Sequence, residues 1–367
     1  MNAKITILSG DGIGLEVTRE AVRALRPLID FAGHDFEIRE HAIGGEAVRK
    51  FGDPLPPATL EACLESDAVF LGAVGGPDFD ALPPSLRPEA GLLRLRQALG
   101  GFANLRPVRT FAALAGSSPL RAELVRSTDI LIVRELLGGV YFGEPRGLER
   151  NGSRRAFNTM SYSEDQIARV AEVAFQHARE RRRKVTSVDK ANVLETSRLW
   201  REVVNDIGRR YPDVKLEHMY VDACAMALTL KPQHFDVILT ENLFGDILSD
   251  QAAGISGSLG LLPSATVGGT VDLYEPIHGS APDIAGTNRA NPIGAILSMA
   301  MLLRRSLGLP REAAEMESAV ESVLNAGYRS ADLSPAGSHC VGTSAMGELV
   351  EKAFADQLDR QYAYHAV

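Results

Sequence analysis

Short runs rich in apolar and β-branched residues alternate along the chain with stretches whose apolar residues recur every three or four positions. Ile5 to Leu8, Ala68 to Val74, Ile130 to Val133, Val185 to Val188 and Phe235 to Thr240 predict buried strands, and Phe36 to Arg39 predicts a further one. Between such runs, Val17, Ala21 and Leu25 fall on one helical face, as do Ile167, Val170, Ala171, Ala174 and Ala178. Ser163 and Gln166 form the sequence signature of a capping box that opens the second helix. Strands alternating with helices predict an α/β architecture. No repeat, low-complexity tract or Pro/Gly/Ser linker separates independent domains, so lobes must exchange chain segments and share a sheet or an interface.

Size and charge sharpen this picture. A chain of 367 residues, 45% of them hydrophobic, can bury a core larger than one average domain needs, which predicts two lobes. With 39 Lys and Arg against 47 Asp and Glu, the net charge is -8, which argues against a nucleic-acid partner. The basic run Arg179 to Lys184 is expected to end a helix and face water. Cys63, Cys224 and Cys340 lie far apart, without the spacing of a disulfide framework or a zinc site, and are expected to be buried, reduced thiols. The sequence opens on a strand-like run, lacks a signal-peptide pattern and has no membrane-length apolar stretch, so a cytoplasmic protein that binds no membrane is expected.

Two patterns bear on chemistry. Ser9-Gly10-Asp11-Gly12-Ile13-Gly14 joins a strand to a helix, but its glycines alternate and do not match the G-x-G-x-x-G dinucleotide fingerprint, so a tight turn is the better reading. Asn242-Leu243-Phe244-Gly245-Asp246-Ile247-Leu248-Ser249-Asp250 follows an apolar strand and sets Asp246 and Asp250 one helical turn apart. Such a pair can face solvent near a helix N-terminus or hold a hard divalent cation. A third acid, Asp222, and the basic set Arg96, Arg106 and Arg134 shift the balance towards a metal-chelated dicarboxylate.

Taken in order, six blocks resemble the β-decarboxylating dehydrogenase family, which includes isopropylmalate, isocitrate, homoisocitrate and tartrate dehydrogenases. They are Gly10 to Gly14; Asn104-Leu105-Arg106-Pro107; Val133-Arg134-Glu135-Leu136 with Gly139-Val140-Tyr141-Phe142-Gly143; Val188-Asp189-Lys190-Ala191-Asn192-Val193; Asn242 to Asp250; and His278-Gly279-Ser280-Ala281-Pro282-Asp283-Ile284. The resemblance implies a two-lobed, non-Rossmann, open α/β sheet with helices on both faces. Residues 1–101 and 257–367 would form one lobe, carrying the NAD loop; residues 102–256 would form the other, carrying the dimer interface and the metal and substrate residues; the site would lie between them. Leu15, where relatives usually have proline, and Gln97, where lysine is common, depart from the pattern without removing a proposed catalytic group.

The same resemblance implies the roles of individual residues. Arg96, Arg106 and Arg134 would hold the two substrate carboxylates. Asp246 and Asp250, with Asp222 from a partner subunit, would bind Mg²⁺ or Mn²⁺. Lys190, acting through Asp222, would be the base, and would need an enclosed setting; Tyr141 would be the acid. Lys190, Val193 and Asp222 would serve the neighbouring subunit's site, which makes a homodimer the implied partner arrangement. Leu92 and Leu93 ahead of Arg96, together with Val193, imply an apolar pocket suited to the branched alkyl group of 3-isopropylmalate, with Leu95 left as a core residue. The cofactor would be NAD, bound by Glu89, His278, Gly279, Ser280, Ala281, Pro282, Asp283, Ile284 and Asn291, with the Asp283 carboxylate accepting from ribose and repelling a phosphate. The implied reaction is NAD-dependent oxidative decarboxylation of 3-isopropylmalate in leucine biosynthesis. A D-malate or tartrate type enzyme and a silent regulatory subunit are the alternatives.

Overall fold

The computed structural model of the chain describes residues 1–150, 152–333 and 339–365. The chain divides into two compact units. The first comprises Met1–Gly101, Phe111–Pro119 and Ser256–Val367, and the second Phe102–Thr110 and Leu120–Ile255.

In the first unit the strands run in the order Asp35–Glu40, Asn2–Gly10, Ala68–Ala73, Leu273–Pro276 and Pro263–Val267. The first four are mutually parallel and the last is antiparallel to its neighbour. Ala68–Ala73 is buried throughout, as an all-apolar run in a parallel sheet requires. The helix Ile293–Arg305 is buried from Ile293 to Ala300 and again at Leu302 and Leu303, which marks it as a central core helix rather than an amphipathic one. In Thr343–His365, Met346, Val350, Phe354 and Leu358 repeat every fourth residue and are all fully buried.

The second unit repeats the plan. Its strands run Ala103–Arg109, Asp129–Glu135, Val237–Thr240, Lys184–Asp189 and Lys215–Tyr220. The first is antiparallel to its neighbour and the other four are parallel. The helix Glu164–Arg179 carries the expected capping box at Ser163 and Gln166 and buries Ile167, Val170, Ala171, Ala174 and Ala178.

The periodicity located these elements, with local differences. The strand expected from Phe235 begins at Val237, because Pro232–His234 forms a short 3-10 turn that Phe235 closes. The first helix ends at Arg23, and Leu25 is a buried link to the helix Arg26–Ala32. Cys63 and Cys224 are buried free thiols, but Cys340 is exposed, contrary to expectation, because it lies on the two-residue strand His339–Cys340, exposed along its length. The basic run is not simply solvated: Arg179 pairs with Asp213, Arg181 with Asp129 and Asp236, and Lys184 with Glu217.

Glu217 accepts hydrogen bonds from Thr186 Oγ1 at 2.7 Å and His234 Nε2 at 2.7 Å, and lies 3.0 Å from Lys184 Nζ. Burial alone would raise this carboxyl, but the bonds from Thr186, Lys184 and His234 outweigh it and hold the group below its ordinary 4.5. A carboxyl depressed in the folded state contributes stability that is complete above its unfolded value and is lost as pH falls through the folded one. Glu217→Gln should therefore be about 1 kcal/mol less stable than the wild type near neutrality, with the difference closing as pH falls through the depressed folded-state value, as read from urea unfolding midpoints across an acid pH series.

Candidate active site

Four parallel strands of the second unit end at Glu135, Asp189, Tyr220 and Thr240. Their register sets Asp189 beside Tyr220, and Thr240 beside both Val188 and Arg134. The chain leaving the carboxyl ends of parallel strands is where open α/β sheets carry their ligand groups. Here it carries Tyr141, Lys190, Asp222 and Asp246, with Arg134 the last residue but one of its strand.

Asp246, on the helix Asn242–Ser256, is the shared acceptor of the site. Arg134 Nη1 donates to its Oδ1 at 2.5 Å and Arg106 Nη1 to the same oxygen at 3.2 Å, while the Tyr141 hydroxyl donates to Oδ2 at 3.0 Å. Both arginine side chains are buried, at 2% and 7% exposure, whereas Asp246 is 35% exposed. Arg106 is held by Asn104 Oδ1 at 2.6 Å and Ser249 Oγ at 2.5 Å, and approaches Asp250 to 3.9 Å. Burial, with the Asp246 carboxylate added to it, raises the Tyr141 phenol, so it remains a proton donor at neutral pH. The short turn Gly139–Tyr141 needs glycine at its start: Gly139 has φ +74°, and a Cβ there would stand 2.4 Å from the Tyr162 hydroxyl.

Lys190 and Asp222 form a separate pair. Lys190 Nζ lies 2.8 Å from Asp222 Oδ1, a contact that follows from the parallel register of Asp189 and Tyr220 one and two residues earlier. Lys190 is not enclosed in the single chain: its side chain is 27% exposed, that of Asp222 is 68% exposed, and Val193 is also exposed. Asp246 and Asp250 offer hard carboxylate oxygens one turn apart with open space beside them, a donor set that fits Mg²⁺ or Mn²⁺ with retained waters or substrate oxygens. Among the described residues no three His, Cys, Asp or Glu side chains gather to hold a metal ion.

The first unit repeats the logic at the ends of Asn2–Gly10, Ala68–Ala73 and Leu273–Pro276. The carboxylate of Asp11 accepts from the backbone N–H of Gly45 at 2.7 Å, Glu46 at 2.9 Å and Gly75 at 2.9 Å, tying its own turn to the first turn of the helix Gly44–Phe51 and to the loop after Ala68–Ala73. A Cβ on Gly12 would stand 2.0 Å from Ser280 O, the same oxygen that accepts from Ile13 N at 2.8 Å, so the glycine turn exists to let backbone meet backbone. These loops wall a cleft of about 480 Å³ lined by Asp11, Gly12, Glu46, Arg49, Gly75 and Pro282, among others. His278 is buried, which pushes its imidazole below the usual range; Nδ1 meets Gly279 O and Nε2 has no partner among the described residues. Asp283 is exposed. Asn291 is committed within the fold: its Nδ2 donates to Asp332 and its Oδ1 accepts from Ile293 N.

Glu89, Leu92, Leu93 and Arg96 share one face of the helix Pro88–Leu99. Leu92 packs against the core cluster that contains Leu95 and Leu99, Leu93 is half-buried, and Glu89 is exposed. Arg96 Nη2 donates to Glu275 Oε1 at 2.6 Å, and its buried Nε has no partner among the described residues.

The isocitrate/isopropylmalate dehydrogenase family model matches residues 4–350. The chain belongs to that family. It is 56% identical over 357 residues to a protein of Gloeobacter violaceus named 3-isopropylmalate dehydrogenase, covering 96% of this chain and 98% of the relative. A protein of the same name from Aquifex aeolicus is 54% identical over 348 residues, covering 95% and 96%. Among solved structures, isocitrate dehydrogenase from Methylococcus capsulatus superposes with a TM-score of 0.86 at 35% identity, covering 96% of this chain and 99% of that one.

Sequence reasoning missed the supports. Glu275 behind Arg96, Ser249 behind Arg106 and the three amides gathered by Asp11 come from distant parts of the chain, and Asn104, two residues from Arg106, was quoted in its block without a role. Asp11→Ala would strand three buried amides and should cost on the order of 2–3 kcal/mol in denaturant unfolding, with Asp11→Asn intermediate because it keeps one carbonyl acceptor. Stability unchanged in both variants would remove Asp11 from this role.

Proposed function

We infer that this chain oxidises and decarboxylates 3-isopropylmalate with NAD, yielding 4-methyl-2-oxopentanoate, CO₂ and NADH, in leucine biosynthesis. The observation that carries the reading is the Asp246 carboxylate, shared by Arg106, Arg134 and Tyr141, with Asp250 one turn on. Relatives that bear the 3-isopropylmalate dehydrogenase name over nearly their whole length support the substrate.

Arg96, Arg106 and Arg134 bind the substrate's two carboxylates, and in the second unit Arg106 and Arg134 exchange part of their contact with Asp246 for the ligand. Asp246 and Asp250 would hold a divalent cation that would supply positive charge for the developing oxyanion, and bound NAD would supply the hydride acceptor. Lys190, through Asp222, takes the proton of the substrate hydroxyl as the hydride leaves the same carbon. Loss of CO₂ from the neighbouring carbon leaves an enolate, to which the Tyr141 phenol returns a proton. Leu92 and Leu93, on the helix face that also presents Arg96, favour a branched alkyl group over a third carboxylate. His278, with its unpartnered Nε2, and Asp283, a carboxylate open to a ribose hydroxyl, support NAD at the loop of residues 278–284, whose Pro282 lines the cleft of the first unit.

The active form is a homodimer in which Lys190, Val193 and Asp222 serve the partner's site. Asp222, Met226 and Leu230 lie on one face of the helix Val221–Leu230, and Met226 and Leu230 are 61% and 60% exposed, as is Ile247 at 57%. A partner over that face would bury these side chains and enclose Lys190. The family and the absence of a membrane-spanning helix among the described residues accord with a cytoplasmic enzyme.

Assayed with 3-isopropylmalate, D-malate, tartrate and isocitrate, the chain should form NADH fastest from the first by about a hundredfold, and chelator should abolish turnover. Preference for D-malate or tartrate would refute the substrate, and no turnover with any would indicate a silent regulatory subunit. Leu230→Glu should weaken self-association and make activity fall steeply on dilution, followed by light scattering alongside specific activity; an active monomer would overturn the shared site.

A further inference from the structure

Asn242 lies one helical turn before Asp246 and is fully buried. Its side-chain amide is saturated from both ends. Oδ1 accepts from Arg134 Nε at 3.1 Å and Nη2 at 2.8 Å, and Nδ2 donates to Leu136 O at 3.1 Å and Gly138 O at 3.1 Å. Its backbone N–H donates to the Tyr162 hydroxyl at 3.0 Å. Oδ1 thus holds one edge of the guanidinium whose remaining nitrogen, Nη1, reaches Asp246. Nδ2 holds the turn that leads into Gly139–Tyr141, whose phenol reaches the other oxygen of Asp246.

We propose that Asn242 is a positioning residue that sets the substrate arginine Arg134 and the acid Tyr141 in register with Asp246. The residue type follows from the geometry. Two donors face the acceptor half and two acceptors face the donor half, which is the full complement of a carboxamide and of no other side chain of this size. An aspartate would suit the arginine, but would set an oxygen against the carbonyls of Leu136 and Gly138 and free the turn carrying Tyr141. The role rests on the reaction inferred above, in which Arg134 binds and Tyr141 protonates.

The test compares steady-state kinetics of wild-type dimer, Asn242→Asp and Asn242→Ala, each alone and combined with Tyr141→Phe, using whichever hydroxy acid the wild type turns over. Asn242→Asp should lower kcat about tenfold although it keeps the acceptors for Arg134; Asn242→Ala should lower kcat similarly and also raise the KM for the acid about tenfold, with the KM for NAD within about twofold of wild type. In the Tyr141→Phe background the kcat effect should vanish, because the phenol it positions is gone. Wild-type kinetics for Asn242→Asp, or an equal kcat loss in both backgrounds, would overturn the proposal in favour of a purely structural role. Should Asn242→Ala fail to fold, the isosteric Asn242→Asp pair decides alone. A wild type that turns over none of the acids would overturn the inferred function and this role together.

Discussion

One carboxylate organises the chemistry of the second unit. Asp246 is reached by two buried arginines and a phenol, groups that differ in charge and in task. Burying two guanidinium groups is costly unless an anion and further hydrogen bonds accompany them, and Asp246, Asn104, Asn242 and Ser249 meet that need. The carboxylate pairs with both arginines and orders them. In the proposed reaction a dicarboxylate and a cation would give each charge a new partner of opposite sign, so that the site would exchange ion pairs rather than create unpaired ones.

The placement of these groups is a consequence of strand direction. In each unit four strands run parallel, so their carboxyl ends lie together and the chain leaves them from one end. In the first unit those exits are glycine-rich and packed backbone to backbone, with Asp11 as a common acceptor for three of their amides. In the second they carry acids, arginines, a lysine and a tyrosine. One strand plan thus yields a cleft walled by loops in one unit and a cluster of charged side chains in the other, with no Rossmann fingerprint.

Much of this was legible in the sequence, for physical reasons. Apolar runs such as Ala68–Ala73 and the helical stripe from Ile167 to Ala178 report burial directly, and the spacing of Asp246 and Asp250 reports a shared helix face. Phe235 and Leu25 were misplaced by one element because both are buried without being in regular structure, and periodicity reads burial rather than hydrogen bonding. The burial of Cys340 could not be judged from spacing at all. Lys190, expected to be enclosed, is partly open in the single chain. The supporting roles of Asn242, Glu275 and Asp11 were not legible for a related reason: each joins elements far apart in the chain, and neither periodicity nor spacing reports which distant side chain or amide it meets.

The most direct test of the shared carboxylate is the anomalous difference map of crystals grown with Mn²⁺ and 3-isopropylmalate. A manganese peak within coordination distance of Asp246 and Asp250, with Arg106 and Arg134 turned onto the substrate carboxylates, is the expected result. Manganese bound elsewhere, or substrate bound while both arginines stay wholly on Asp246, would contradict it.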